Sequence, residues 1–172
     1  MLRRISFKMN LPNLISLLRI PLALVLFVPN TPLRMVVLFI ALITDGLDGY
    51  LARTFKQKTR MGAIIDPITD KFFVGVALMV CLFERPLHPW QITAFFSRDI
   101  ALGLITLRAL IQGSIHRHPV KSIWPGKLST ALQFVALALL IQGILIPSFV
   151  WGAFVVLGIL FLQANLKVKP AT

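Results

Sequence analysis

Residues 40 to 80 read IALITDGLDGYLARTFKQKTRMGAIIDPITDKFFVGVALMV, and this stretch decides the fold. An apolar run leads into Asp45 and Asp48; a basic segment with Arg53, Lys56, Lys58 and Arg60 follows; Asp66 and Asp70 then open a second apolar run. On a helix, residues three or four apart share a face. Asp45 and Asp48 therefore share a face of one helix, and Asp66 and Asp70 share a face of the next. An antiparallel pair joined by the basic loop brings all four carboxylates to a similar depth. The stretch predicts two apolar helices with an acidic cluster towards one end.

The rest of the chain sets the context. Of 172 residues, 57% are hydrophobic and 14% are charged, and the mean hydropathy is +0.84. A soluble domain carries about a quarter charged residues, so a soluble enzyme, a disordered chain and a disulfide scaffold are all excluded. The lone Cys81 lies in an apolar run, allows no disulfide within one chain, and reads as a small core or lipid-facing residue. Crossing a hydrocarbon layer of ~30 Å takes about 20 helical residues. Six apolar runs serve: 12–29, 33–51, 61–83, 89–112, 126–146 and 148–166, with Pro12, Pro32, Pro86, Pro89, Pro125 and Pro147 at or near their ends. Arg3, Arg4 and Lys8 precede the first run as in a signal peptide, but Arg19 interrupts it and no small-residue cleavage site follows, so an uncleaved first helix is expected. There is no internal repeat and no low-complexity linker. The expected architecture is an all-α integral membrane protein of six transmembrane helices, forming a single domain over 1–172.

The charges divide into two groups with different meanings. Eighteen Lys and Arg face six acids, a net charge of +12. So basic a chain suits nucleic acid in principle, but these cations sit in short gaps between apolar runs, where they mark topology and meet anionic lipid headgroups instead. No nucleic-acid partner is expected; the lipid bilayer is. The N-terminus, the 53–60 gap, the gap with Arg117, Lys121 and Lys127, and the tail with Lys167 and Lys169 are basic, whereas the other three gaps hold little charge. The positive-inside rule then places both termini and the two basic loops in the cytoplasm, and with them the acidic ends of helices two and three.

Four carboxylates cannot all stay ionised together in a low dielectric without cations. Each charge at a helix centre costs about 2.5–3.5 kcal/mol on insertion scales, so the cluster needs a purpose. All-oxygen donors select hard divalent ions such as Mg²⁺ or Mn²⁺, and four carboxylates suffice for two ions, an arrangement suited to in-line phosphoryl chemistry. Internal pairing with Arg53, Arg60 or Lys71 is the alternative; it explains neither the spacing nor the small residues Gly46, Gly49, Ala52 and Gly62 around the acids. A helical glycine costs about 1 kcal/mol relative to alanine. Close helix packing is one reason for the glycines, and room for a ligand against the backbone is another, with Arg53 placed to clamp a phosphate. A different class, an ion or proton pathway in a small transporter, also uses intramembrane acids, but it calls for acids near the midplane and repeated halves, and this chain has neither.

The spacing D-x₂-D-G-x₂-A-R-x₈-G-x₃-D-x₃-D, met at Asp45, Asp48, Gly49, Ala52, Arg53, Gly62, Asp66 and Asp70, resembles the signature of the CDP-alcohol phosphatidyltransferase family. Eight fixed positions match by chance about once in 10¹⁰ starts at average residue usage. The run from Asn10 to Arg19 is similar to the first helix of that family's bacterial phosphatidylglycerophosphate synthases, and Ser97-Arg98-Asp99 and Gly126 to Thr130 resemble later patches of the family. The resemblance implies a homodimer in a bacterial inner membrane, with the active site facing the cytoplasm. It assigns Asp45, Asp48, Asp66 and Asp70 to two divalent ions, with Asp70 also the general base. Gly49, Ala52, Arg53 and Gly62 would form the CDP-diacylglycerol site. The implied reaction moves the phosphatidyl group of CDP-diacylglycerol to a small hydroxyl acceptor, glycerol 3-phosphate first of all, in phospholipid biosynthesis; cardiolipin synthesis from phosphatidylglycerol is the alternative within the same chemistry. Intramembrane cations are candidates for holding a phosphorylated acceptor, here Arg98, Arg108 and Lys127. Where the synthases carry an Arg eight residues after Arg98 this chain has Thr106, and Arg108 is rotated about 200° from that place. His116 and His118 flank Arg117 without metal-like partners and read as solvated loop residues; Asp99 is left without a role.

Overall fold

The computed structural model describes residues 11–54, 62–111 and 124–166, and every regular element among them is an α-helix. In chain order these are α1 (Leu11–Leu17), α2 (Arg19–Val25), α3 (Thr31–Thr54), α4 (Gly62–Glu84), α5 (Pro89–Phe95), α6 (Ser97–Ile111), α7 (Trp124–Ile141) and α8 (Ser148–Leu166). They fall into two compact units, Met1–Arg85 and Pro86–Thr172. All six apolar runs become helical, but two of them are not single helices. The first splits at Leu18 and stops at Val25. Pro21 brings no N–H to bond the Leu17 carbonyl and its ring crowds that carbonyl, which is where the ladder lapses. The fourth splits at Phe96, whose φ of −92° and ψ of 10° leave the helical basin; no proline or glycine stands there, and the adjoining Ser97 hydroxyl donates 2.6 Å to the Phe154 carbonyl of α8.

The ends of the helices follow local chemistry. Asn30 caps α3, its Oδ1 accepting from the Leu33 N–H at 3.0 Å. At α5, Pro89 holds the first helical position and the Gln91 side chain accepts from the His88 N–H at 2.8 Å. Gly143, at φ 74°, ends α7: its N–H reaches the Leu140 carbonyl and that of Ile144 the Leu139 carbonyl, both at 2.9 Å. This is a Schellman stop, and its left-handed residue suits only glycine without strain.

In the first unit, α1 and α2 each pack on both α3 and α4. The expected direct pairing of the two acidic helices is thus modified: the split first segment bridges them. Val37, Leu38 and Ala41 of α3 and Phe73, Val74, Ala77, Leu78 and Cys81 of α4 are buried, at the three-and-four spacing of one helical face. At one end, buried Arg34 ties the unit together, its Nε donating to the Leu26 carbonyl at 2.7 Å and its Nη1 pairing with Glu84 at 2.6 Å. Glu84, at the end of α4, is therefore a structural partner.

In the second unit α8 packs against α5, α6 and α7. Its core is aromatic: Phe95, Trp151 and Phe154 are buried, with ring centroids 5.5 Å apart for Phe95–Phe154 and 6.1 Å for Trp151–Phe154. Helices α7 and α8 are long and apolar enough to cross a bilayer by length and composition. Large apolar side chains also face outward in both units, Phe39, Phe83, Leu145 and Phe149 among them at 65% to 86% exposure, an excess that suits lipid rather than water.

Candidate functional site

The acidic residues are carried by α3 and α4, as the spacing predicts. Asp45 lies in α3, Asp66 and Asp70 in α4, and Asp45 stands within electrostatic reach of both Asp66 and Asp70. Pro67 sits inside α4 directly after Asp66, and Thr69 Oγ1 donates 3.1 Å to the Asp66 carbonyl there, so the turn bearing the two acids has its own local bonding. The side chains of Asp48, Gly49, Ala52, Arg53 and Gly62 lie outside the described residues, although the helical backbone of α3 runs through the first four and Gly62 begins α4. His116 and His118 also lie outside them.

Two side chains from the first segment enter the site, and the sequence had not marked them for it. Ser16, fully buried, donates its hydroxyl to Asp66 Oδ1 at 2.7 Å. Arg19 Nη2 pairs with Asp45 Oδ1 at 3.1 Å; the arginine side chain is 1% exposed and the aspartate 42%. A signal exists: Ser16 and Arg19 are polar residues three apart in a mainly apolar run, where sequence reads Arg19 as an interruption and as the end of the stretch similar to the family's first helix. Among the described residues the cation paired with Asp45 is Arg19; the side chain of Arg53 and residue Arg60, offered by the sequence, lie outside them.

The cationic residues expected near the acceptor fall in the second unit. Arg98 Nη1 bonds Asp99 Oδ1 at 3.3 Å, and its guanidinium lies 5.6 Å from the Phe161 ring centroid. The other oxygen of Asp99 accepts from Gln133 Nε2 at 3.2 Å, and the same amide donates to the Phe95 carbonyl at 2.9 Å. Asp99, unassigned from sequence, is thereby a structural acceptor joining α6 to α7. Arg98 also borders the start of α7: a Cβ added to Gly126 would lie 3.7 Å from its Nε. Lys127, next in the chain, is exposed, as is Arg108. Arg98 and Arg108 are ten residues apart on α6, about 15 Å along its axis, so the structure does not bring these two together.

An all-helical, apolar-surfaced chain with hard carboxylates gathered on two of its helices has the makings of a membrane-embedded phosphotransfer enzyme. Comparison with known proteins makes that specific. The model of the CDP-alcohol phosphatidyltransferase family matches residues 9–163, and the chain belongs to that family. It is 35% identical over 166 residues, covering 91% of this chain and 88% of the relative, to the CDP-diacylglycerol--glycerol-3-phosphate 3-phosphatidyltransferase of Shigella flexneri serotype 5b (strain 8401). To the protein of the same name from Escherichia coli (strain K12) it is 37% identical over 141 residues, 77% of this chain and 76% of the relative. The protein is accordingly a phosphatidyltransferase and a membrane protein.

Enzymes of this family generally use divalent metal ions. Among the described residues no three Asp, Glu, His or Cys side chains come close enough to hold one ion by themselves, a set that leaves out Asp48. The donor chemistry fits such ions: the three described acids offer only hard oxygens, and Asp45 already holds a cationic group in the Arg19 guanidinium.

Proposed function

We propose that this protein transfers the phosphatidyl group of CDP-diacylglycerol to glycerol 3-phosphate, giving phosphatidylglycerol phosphate and CMP. The observation that carries the reading is the match to relatives of that name across most of the chain, on a sequence whose eight signature positions are all met. Both compact units act as one catalytic domain, since the family match spans them. Six spans with both termini in the cytoplasm follow from the six helical runs and the basic gaps. The site then faces the cytoplasm of a bacterial inner membrane, and the active form is a homodimer.

Asp45, Asp48, Asp66 and Asp70 would hold two divalent ions, Mg²⁺ or Mn²⁺, which when bound neutralise charge developing on the pyrophosphate oxygens. Arg53 holds a phosphate of the cytidine diphosphate group bidentately. Gly49, Ala52 and Gly62 leave clearance for that group against the helix backbone. Asp70 accepts the proton of the acceptor hydroxyl. The hydroxyl oxygen bonds to the β-phosphorus, the bond from that phosphorus to the bridging oxygen breaks, and CMP departs with the electron pair. Arg98 and Lys127 hold the acceptor phosphate; Arg108, displaced along α6, is left out of that pair. The acyl chains stay in lipid throughout.

The test is to incubate the purified protein with CDP-diacylglycerol, Mg²⁺ and labelled glycerol 3-phosphate, and to identify the lipid formed. Labelled phosphatidylglycerol phosphate with equimolar CMP is expected. Cardiolipin formed from phosphatidylglycerol, with no product from glycerol 3-phosphate, would overturn the acceptor; no CMP with either acceptor would overturn the reaction.

A further inference from the structure

The first helical segment does more than fill space between α3 and α4. Ser16 and Arg19 lie three residues apart, both are at most 1% exposed, and they reach different helices: Ser16 to Asp66 on α4, Arg19 to Asp45 on α3. Burying a guanidinium costs several kcal/mol unless a carboxylate answers it, and the carboxylate it meets belongs to the acidic cluster. Asp45 and Asp66 each accept at Oδ1, so each contact restricts the orientation of one acid of the cluster. A cluster of acids in an apolar setting stays ionised without bound ions only where positive charge answers it.

We propose that Ser16 and Arg19 form a brace on the carboxylates, Ser16 by holding Asp66 in place for a divalent ion, and Arg19 by supplying Asp45 with counter-charge while the ions are absent. They are positioning residues, acting through the acids rather than on substrate. The inference rests on the reading of the carboxylates as a divalent-ion site. Arg34 supplies an internal control: it is also a buried arginine paired with a carboxylate, at 2.6 Å from Glu84, but that carboxylate is outside the cluster.

The experiment uses the full chain in detergent, with Mn²⁺ binding followed by electron paramagnetic resonance and melting followed in EDTA and in Mn²⁺. Ser16→Ala weakens Mn²⁺ binding roughly 10-fold, in the range typical of groups behind the ligands, and Ser16→Thr restores it. Arg19→Gln lowers the melting temperature in EDTA, and Mn²⁺ recovers most of the loss, so that its Mn²⁺-induced shift exceeds that of the unaltered protein by about 5 °C. Arg34→Gln loses the same stability in both conditions. Should Arg19→Gln not fold, Ser16→Ala and its threonine rescue decide alone. Unaltered Mn²⁺ affinity in Ser16→Ala, or equal losses with and without Mn²⁺ in Arg19→Gln, overturns the brace while leaving the ion site standing. Absence of Mn²⁺ binding by the unaltered protein overturns the ion site itself, and the brace with it.

Discussion

Asp45 in the first unit and Asp99 in the second are both aspartates in apolar helices, and both sit against an arginine. They differ in what is left over. Asp99 has an arginine on one oxygen and an amide on the other, and its side chain is 13% exposed. It is saturated, and it serves to join helices. Asp45 meets Arg19 on one oxygen, is 42% exposed, and has two further carboxylates within electrostatic reach. A carboxylate with bonding capacity to spare beside others of its kind is placed for ligation; one with both oxygens engaged is placed for structure. On the proposed reading the same residue type does two jobs, separated by how many donors reach it.

The comparison breaks most easily at Asp70. Asp70→Asn keeps the shape of the side chain but removes its capacity to take a proton, and general-base contributions are roughly 10²–10⁴-fold. A loss of turnover of at least that size is expected, with CDP-diacylglycerol binding retained, measured by CMP release and by equilibrium binding. Turnover within tenfold of the unaltered protein would remove Asp70 from the chemistry. Asp99→Asn is the counterpart in the other unit. It weakens a charged hydrogen-bond pair worth about 1–3 kcal/mol, which for a chain of this size lowers Tm by roughly 2–10 °C. The loss should be the same in EDTA and in Mn²⁺, because the second oxygen of Asp99 is already occupied by Gln133. A metal-dependent loss would place Asp99 among the ligating acids and end the distinction.

A third variant sharpens the structural side. Where α6 meets α8, a Cβ on Gly158 would stand 2.8 Å from the Ser97 Cβ and 2.9 Å from its backbone carbon. Backbone cannot swing aside as a side-chain tip does, so Gly158→Ala forces the helices apart, at about 1–3 kcal/mol for overpacking of this kind. A Tm drop that is indifferent to Mn²⁺ is expected, as for Asp99→Asn.

How much of this was legible beforehand differs between the same two regions. Helix periodicity and hydropathy are local signals, so all six helical runs and the helices bearing Asp45, Asp66 and Asp70 could be read directly. The ligating role of the acids, by contrast, is a reading of their charge and stays a proposal. What could not be read were pairings over long separations: Ser16 with Asp66 and Arg34 with Glu84, each fifty residues apart. Nothing in a one-dimensional pattern distinguishes Glu84 at a helix end from a solvated loop charge. The split at Leu18 was available in principle from Pro21, since proline disturbs the carbonyl four residues earlier; overall hydropathy hid it. The split at Phe96 had no such marker, because its neighbour Ser97 is held by a carbonyl on another helix.

Lys127 marks the mild end of the comparison. It is exposed in the first turn of α7, beside the glycine that Arg98 borders, and an exposed cation contributes about 0.2–1 kcal/mol to an ionic contact because water screens it and its long chain must be ordered. By that magnitude Lys127→Ala raises the KM for glycerol 3-phosphate only about 1.5- to 5-fold, with kcat little changed, since the charge holds the acceptor equally in ground and transition states. Steady-state rates across glycerol 3-phosphate concentrations at saturating CDP-diacylglycerol measure it. An unchanged KM would take Lys127 out of the acceptor site. A rise beyond about 100-fold would mean that the lysine is desolvated when substrate is bound, since only then does one ammonium–phosphate contact outweigh what a screened surface charge supplies.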